Sequence, residues 1–110
     1  MEPLPDDDTL MWARARRNTV SVNRKFTIRW LYDKYVAGVC EVTGIPLVFD
    51  NPYSPAAPQV DRIVPGAKGG QYVPENCRVV CRAWNLLKMD QTDEEVWGVL
   101  RQIMAGPPLT

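Results

Sequence analysis

The order of residue patterns in the second half of the chain most constrains its fold. Residues 59–64 alternate between apolar and polar side chains, which is typical of a strand with Val60 and Asp61 on opposite faces. The glycine-rich stretch GAKGGQY predicts a loop, and Cys77–Cys81 alternates again as a second strand. A helix is expected over residues 82–89. Two short strands joined by a loop and followed by a helix predict an α+β fold.

Two helices are predicted before this unit. Asp8 or Thr9 can cap a short helix that runs to about residue 18, because their side chains accept hydrogen bonds from the first free backbone amides. Thr27 can cap a second helix in the same way, and Gly38 is suited to end it. Residues 47–49 are a short strand candidate before a proline-rich loop.

A last helix is predicted after the unit. Thr92 and Glu95 form a T-x-x-E capping box, and the helix should run to about Ala105, before a Gly-Pro-Pro stop. Its apolar face is expected to consist of Val96, Val99, Leu100 and Ile103.

With 110 residues, the chain is expected to form one domain. A basic helical part would cover residues 1–38, the core residues 39–90 and the C-terminal helix residues 91–106. The chain has no apolar run near the roughly 18 residues that a membrane helix needs. The acidic start MEPLPDDD does not resemble a signal peptide. We therefore expect a cytoplasmic protein of a bacterium or a phage-infected cell that does not enter membranes.

Basic residues are clustered although the net charge is zero. Residues 1–11 hold four acidic residues and no basic one, whereas residues 14–34 hold seven basic residues against Asp33. Such clustering favours a phosphate-binding face, and the alternative is a solvated basic helix face. Trp12, which lies beside this cluster, could pack in the core or stack on a base. The residues expected to contact DNA are Arg14, Arg16, Arg17, Arg24, Lys25, Lys68, Arg78, Arg82 and Lys88.

The cysteines and the absence of histidine limit the chemistry. Cys40, Cys77 and Cys81 are spaced as neither a zinc nor a disulfide framework, so we expect buried, reduced thiols. The chain has no histidine, which removes the usual general base and the commonest transition-metal ligand.

The stretch VDRIVPGAKGGQYVPENCRVVCRAWNLLK resembles the signature of HNH nucleases. The general form of that signature is D-H-[hydrophobic]-x-P, a glycine-containing loop, an Asn, and a helix bearing His or Asn followed by Lys. The upstream CEVTGIPL resembles the C-x-x-T-G-x-P lead-in of many phage and bacterial members. The resemblance covers residues 39–88 and implies a ββα-metal (HNH) core. Thr43 and Trp84 occupy positions where zinc-stapled relatives have cysteines, so no structural zinc is expected.

The resemblance also implies roles for three residues. Asp61 matches the acidic metal ligand at the end of the first strand, and Asn85 matches a second ligand on the helix. Asn76 matches the Asn whose side chain ties the loop to the backbone beside the catalytic residue. Two protein ligands in an open, oxygen-rich site imply a single Mg²⁺ or Mn²⁺ ion.

Arg62 departs from the signature, in which a His at this position removes a proton from the attacking water. An arginine stays protonated and has no acceptor, but it can hold a phosphate through two parallel hydrogen bonds. Another base is then needed. Tyr72 in the glycine-rich loop is one candidate, and a metal-bound hydroxide or free solvent is the other.

Two leading functions remain open at this point, besides a small structural or inhibitory protein, against which the basic segments argue. One is a divalent-metal-dependent endonuclease that hydrolyses DNA phosphodiester bonds. The other is a DNA- or protein-binding module that kept the scaffold and lost cleavage when Arg replaced His. A scaffold alone does not decide between them, because folds host several functions.

Overall fold

The computed structural model describes residues 3–19 and 26–108. The predicted DNA-contacting residues Arg24 and Lys25 lie outside these ranges. The described part of the chain holds four α-helices and a two-stranded sheet, which confirms the α+β class. The elements are α1 (Asp8–Thr19), α2 (Ile28–Ala37), β1 (Pro58–Arg62), β2 (Cys77–Cys81), α3 (Arg82–Lys88) and α4 (Asp93–Ala105).

The two strands form an antiparallel pair. Val60 lies opposite Val79, and Asp61 lies opposite Arg78. The connecting loop contains two single 3₁₀ turns, Gly66–Lys68 and Pro74–Asn76. Helix α3 follows β2 directly and packs against both strands, while α1 and α2 pack against each other and α2 reaches β2. The N-terminal helix pair is therefore joined to the strand–loop–strand–helix unit through the contact of α2 with β2.

The predicted ends of α2 and the predicted start of α4 are present in the structure, whereas the predicted cap of α1 was wrong. Helix α1 begins at Asp8, and the Asp7 carboxylate, not Asp8 or Thr9, accepts a hydrogen bond from the Leu10 amide at 3.0 Å. The Thr27 hydroxyl accepts a hydrogen bond from the Trp30 amide at 3.0 Å, and Gly38 ends α2 with a φ of 69°. A left-handed φ of this kind is costly for residues that have a Cβ atom. Thr92 and Glu95 form the complete capping box at the start of α4. These local signals act through backbone hydrogen bonds, which is why the sequence predicts them well.

The core lies between α2, the sheet and α3. Trp84 of α3 is only 2% exposed, and its ring centroid lies 4.8 Å from that of Trp97 on α4. The three cysteines are buried free thiols. Burial raises the pKa of the Cys77 thiol to about 11, which keeps it protonated at neutral pH. The buried apolar residues include Leu10, Ala13, Phe26, Leu31, Val60, Val79, Val80, Trp84 and Val96.

The predicted strand over residues 47–49 was wrong. These residues form no strand, and Val48 instead donates a single backbone hydrogen bond to Ala56 at 2.9 Å. Val60 and Asp61 are consecutive residues of strand β1 and so lie on its opposite faces, as predicted. Both are buried, because a side chain of α3 covers the face that carries Asp61.

The four residues predicted for the apolar face of α4 line one groove together, but this face is only partly buried. Val96 is buried, but Val99 and Ile103 are 54% and 64% exposed. Helix α4 meets the rest of the described chain mainly at α3, so its second half lies beyond the core. Within the described residues, no helix has the length and apolar character needed to cross a membrane.

Truncating the two paired tryptophans should have unequal effects on stability. Trp84→Ala should lower the free energy of unfolding by about 3–5 kcal/mol, because a nearly fully buried ring is lost from the core. Trp97→Ala should cost clearly less, since Trp97 is 37% exposed. Urea denaturation followed by circular dichroism measures both values. Equal losses would show that the pair, rather than the depth of burial, determines the stability of this region.

Candidate functional site

An open pocket of about 160 Å³ lies where the end of β1, the loop and the end of α3 meet. Four predicted site residues line it: Asp61, Arg62, Tyr72 and Asn85. These side chains come from three separate parts of the chain. In the folded protein, all four side chains border the same pocket.

Asp61 forms the inner wall of this pocket and is only 6% exposed. Its Oδ2 atom accepts hydrogen bonds from Arg78 Nε at 3.2 Å and Nη2 at 3.1 Å, and from Lys88 Nζ at 3.0 Å. All three bonds go to the same oxygen, so Oδ1 is the atom of Asp61 that could take another ligand. The buried carboxylate is thus compensated by two cations within the protein itself.

Lys88 is 1% exposed, so its predicted role in DNA binding was wrong. Besides the Asp61 bond, its ammonium group donates to the backbone oxygens of Arg62 and, at 3.0 Å, Ile63. A buried ammonium group needs an anionic partner and acceptors for its remaining protons, and the end of β1 supplies both. The lysine of the signature therefore serves here as an internal anchor between α3 and β1.

Arg78 was also predicted to contact DNA, but its side chain is only 13% exposed and bridges two carboxylates. Its Nη2 atom lies 2.5 Å from Asp93 Oδ1 as well as 3.1 Å from Asp61 Oδ2. Partial burial by itself raises the pKa of Asp93, but the hydrogen bond and charge of Arg78 outweigh it and hold the pKa below its usual value. Arg78 is thus committed to an internal ion-pair cluster with Asp61, Lys88 and Asp93.

Asn85 lies one helical turn before Lys88 on α3. Its Nδ2 atom donates to Gln59 Oε1 at 2.6 Å, which fixes the orientation of both amides. The carbonyl oxygen of Asn85 is the end left for a ligand. Gln59, which holds it, was not recognised from the sequence as a site residue.

Arg62 and Tyr72 face each other across the pocket. The guanidinium carbon of Arg62 lies 5.6 Å from the centroid of the Tyr72 ring, a cation–π distance. Burial raises the pKa of the Tyr72 phenol, so the phenolate that a general base requires is scarcer at neutral pH than for an exposed tyrosine. This argues against the predicted role of Tyr72 as the base and favours a role in holding Arg62.

Asn76 connects the loop to the backbone beyond Arg62. Its side chain accepts from the Val64 amide at 3.0 Å and donates to the oxygens of Val64 at 3.0 Å and Gln71 at 2.9 Å. The loop can approach this closely because residue 70 is glycine: a Cβ atom there would lie 1.7 Å from the Val64 oxygen. Asn76 therefore positions the loop and does not itself line the pocket.

Asp90 is a pocket residue that the sequence reasoning missed. Together with Met89, it lies just after α3 and lines the pocket opposite β1. Met89 has a φ of 49°, which is uncommon for a residue with a side chain and marks a sharp change of chain direction. The only sequence signal was an acidic residue two positions after the signature, which is too weak to recognise alone.

The other residues that were predicted to contact DNA differ in how far their side chains are exposed to solvent. Arg14 is exposed on α1, and Lys68 is exposed in the loop and lies 3.3 Å from Glu95. Arg16 is half-buried and lines a second cavity.

Two other arginines are partly committed to the backbone. Arg17 donates through Nε to the Phe26 oxygen at 2.9 Å, and Arg82 donates to the Tyr53 oxygen at 3.3 Å. Both are half-buried, and each retains guanidinium N–H groups beyond the bond described. The basic surface is therefore smaller than the sequence suggested.

The chemistry of the pocket matches a hard cation better than a soft one. Oxygen-bearing side chains of Asp61, Asn85 and Asp90 line it, and such donors suit Mg²⁺ or Mn²⁺. The described residues contain no group of three or more His, Cys, Asp or Glu side chains that could hold a metal ion. A cation here would thus depend on an amide oxygen and on water in addition to the carboxylates.

The Arg78–Asp93 pair should make the stability of the protein depend on acid pH. Because the folded-state pKa of Asp93 is lowered, its contribution is complete above the unfolded pKa of about 3.9 and is lost as the pH falls through the folded value. Asp93→Asn should therefore reduce the free energy of unfolding by about 1 kcal/mol at pH 7, and the difference from wild type should shrink as the pH falls through the lowered folded-state pKa of Asp93.

The control for this pH experiment is Glu94→Gln, which removes an exposed carboxylate from the adjacent position. Urea denaturation at pH 7, 5, 4 and 3 should show little change for this control. A constant difference between Asp93→Asn and wild type at every pH would contradict the assignment of the acid dependence to Asp93.

Comparison of the chain with protein-family models, with curated proteins and with solved structures gave no match. The functional interpretation therefore depends on the residues and the geometry described above.

Proposed function

We propose that this chain is an HNH-type nuclease that hydrolyses DNA phosphodiester bonds with the help of a divalent cation. The observation that supports this most is the meeting of Asp61, Arg62, Tyr72 and Asn85 around one open pocket. The resemblance to the HNH signature relates Asp61, Arg62 and Asn85 to the reaction. The order β1, loop, β2, α3 supports a ββα-metal core for the same reason.

Asp61 and Asn85 are the residues that would hold the cation, together with water. A Mg²⁺ or Mn²⁺ ion held there would neutralise charge on the scissile phosphate and on its leaving oxygen. Asp61 and Asn85 are fixed in place by Lys88 and Gln59, respectively, so their free oxygens are oriented before any ligand arrives.

Arg62 would bind the phosphate. It is exposed, it lies at the mouth of the pocket, and its guanidinium group can donate two parallel hydrogen bonds to phosphate oxygens. The Tyr72 ring limits where this group can point. Arg62 would therefore both orient the phosphate and stabilise the negative charge that develops on it during hydrolysis.

Asp90 would take the place of the missing histidine as general base. It is an exposed carboxylate of the pocket that lies outside the Asp61–Lys88–Arg78–Asp93 cluster, and an ionised carboxylate can accept a proton. In the reaction, water forms a bond to phosphorus, its proton passes to Asp90, and the bond from phosphorus to the leaving oxygen breaks. The leaving oxygen then takes a proton from solvent.

A plasmid-nicking assay tests the proposal. Wild type should nick supercoiled DNA in Mg²⁺ or Mn²⁺, and EDTA should abolish nicking. Asp61→Asn should abolish it as well, but this change also removes the charge partner of the buried Lys88 and could unfold the protein. Asp90→Asn provides the second test, since Asp90 is exposed, and it should lower the rate by roughly a hundredfold.

Two controls keep this assay decisive. Glu94→Gln removes an exposed carboxylate that does not line the pocket, and it should nick like wild type. Circular dichroism of each variant separates loss of folding from loss of chemistry. Nicking that persists in EDTA and in both site variants would exclude the proposed chemistry.

A DNA-binding module without cleavage is the second candidate. The observation in its favour is the ion pairing of Asp61 with Lys88 and Arg78. A carboxylate whose charge is already shared by two cations attracts a further cation less strongly. In that case, wild type would bind DNA without nicking it in any divalent ion.

Substitutions of Arg62 distinguish the two candidates. If the protein cleaves, Arg62→Ala should slow nicking by roughly a hundredfold, because a phosphate contact made in the transition state is lost. Arg62→Lys should nick at a rate between those of wild type and Arg62→Ala, since lysine keeps the positive charge but cannot make two parallel hydrogen bonds. If wild type only binds, Arg62→His should introduce nicking, because it returns an imidazole to this position. Nicking rates that are equal for wild type and Arg62→Ala would exclude a role for this residue in cleavage.

A further inference from the structure

A second cavity, of about 230 Å³, lies between α1, α2 and the segment that leads into β1. Three aromatic rings line it, from Trp12, Tyr35 and Phe49, together with the polar side chains of Arg16 and Gln59. The functional interpretation above uses none of these residues except Gln59. The combination of flat rings with a few hydrogen-bonding groups is the usual composition of a site for a planar polar ligand.

The rings form the walls of this cavity. The Trp12 and Phe49 centroids lie 4.8 Å apart with an interplanar angle of 28°, and Tyr35 meets Phe49 edge-on at 5.6 Å. Trp12 and Phe49 are half-buried, so part of each ring faces the cavity and solvent. Burial raises the pKa of Tyr35 to about 12, so its phenol remains a neutral hydroxyl that can donate a hydrogen bond.

The polar groups of the cavity have unused hydrogen-bonding capacity. The Nε atom of Arg16 is buried and lacks a hydrogen-bond partner among the described residues. A buried donor without a partner costs about 1–3 kcal/mol, and an acceptor on a ligand, reached by a small movement of the Arg16 side chain, would remove that cost. Gln59 uses its carbonyl oxygen to hold Asn85, which leaves its Nε2 group as a donor.

The cavity adjoins the proposed cleavage pocket. Gln59 lines the cavity, and its partner Asn85 lines the pocket, so one hydrogen bond connects their walls. The charge of Arg16, in the cavity, also acts at both sites: it partly offsets the rise that burial causes in the pKa of Tyr35, in the cavity, and of Tyr72, in the pocket. The two sites are thus joined through the Gln59–Asn85 hydrogen bond.

We infer that this cavity binds one unstacked nucleobase of the DNA strand whose phosphate contacts Arg62. A base has flat faces for the Trp12 and Phe49 rings and edge acceptors for Arg16 and Gln59. Within a duplex, its faces are covered by neighbouring base pairs, so the ligand must be single-stranded or turned out of the helix. This inference rests on the proposed function because it takes the ligand to be nucleic acid. It does not require that the protein cleaves DNA.

A binding comparison in EDTA tests the inference without cleavage. One probe is a fluorescein-labelled single-stranded 12-mer of DNA, and the other has the same length and phosphate charge but carries abasic residues throughout. Wild type should bind the base-bearing probe about tenfold more tightly, as expected for one stacked base. Fluorescence anisotropy at constant salt measures both affinities.

Two arginines of α1 provide the matched variants. Arg16→Met removes the buried donor and should bring the two affinities within about twofold of each other. Arg14→Met removes the same charge from an exposed position and should weaken both probes equally, through the phosphates. Trp12→Leu should also remove the preference for bases, and circular dichroism checks that each variant is folded.

The inference fails if wild type binds the two probes equally, or if folded Arg16→Met and Trp12→Leu keep the full preference. A protein that nicks plasmid but shows no base preference would overturn this inference alone. A protein that prefers the base-bearing probe but never nicks would overturn the proposed cleavage and leave the base-binding cavity intact. A protein that binds neither probe and nicks no plasmid in any divalent ion would overturn both.

Discussion

A buried ammonium group joins helix α3 to the end of β1. Lys88 donates hydrogen bonds to the Asp61 carboxylate and to the backbone oxygens of Arg62 and Ile63. Those oxygens belong to the point where β1 ends and the loop begins, so the ammonium group replaces the strand pairing that is lost there. Removing one member of a buried ion pair typically costs about 3–5 kcal/mol, because the other charge remains without its partner. The relative position of strand, loop and helix depends on this contact.

The same cluster determines the electrostatics of the pocket. Asp61 and Asp93 carry two negative charges, and Arg78 and Lys88 carry two positive ones, so the cluster is close to neutral. The charges left to act on a ligand at the mouth of the pocket are then those of Arg62 and Asp90. One can attract a phosphate, and the other can accept a proton or bind a cation. This division explains how a pocket with a buried carboxylate could still receive an anionic substrate.

Local features of the fold were predictable from the sequence, whereas the partners of charged groups were not. The helix ends at Thr27, Gly38 and Thr92 depend on residues within one turn, so their patterns are visible in the chain. The burial of Lys88 depends on residues more than twenty positions away. A lysine is rarely buried, so its position in the sequence suggested a surface role.

In the candidate site as well, contacts between distant residues could not be predicted from the sequence. The signature predicted Asp61, Arg62 and Asn85, and these residues share one pocket. Asp90 and Gln59 were missed because their roles depend on chain direction and on a side-chain contact. The unusual φ of Met89 brings Asp90 to the pocket, and Gln59 matters through its bond with Asn85. Neither feature produces a sequence pattern.

The loop around Arg62 has space and a contact that suit an arginine side chain. The Tyr72 ring lies on one side of its guanidinium group at a cation–π distance. Gly66 lies on another side, where an added Cβ atom would come within 2.7 Å of Arg62 Nη1. A larger residue at position 66 would displace the guanidinium group, and a non-aromatic one at 72 would leave that face unsupported. Because the loop accommodates a long, planar cation here, the proposed reaction would use Arg62 for contact with phosphate and a different side chain for proton transfer.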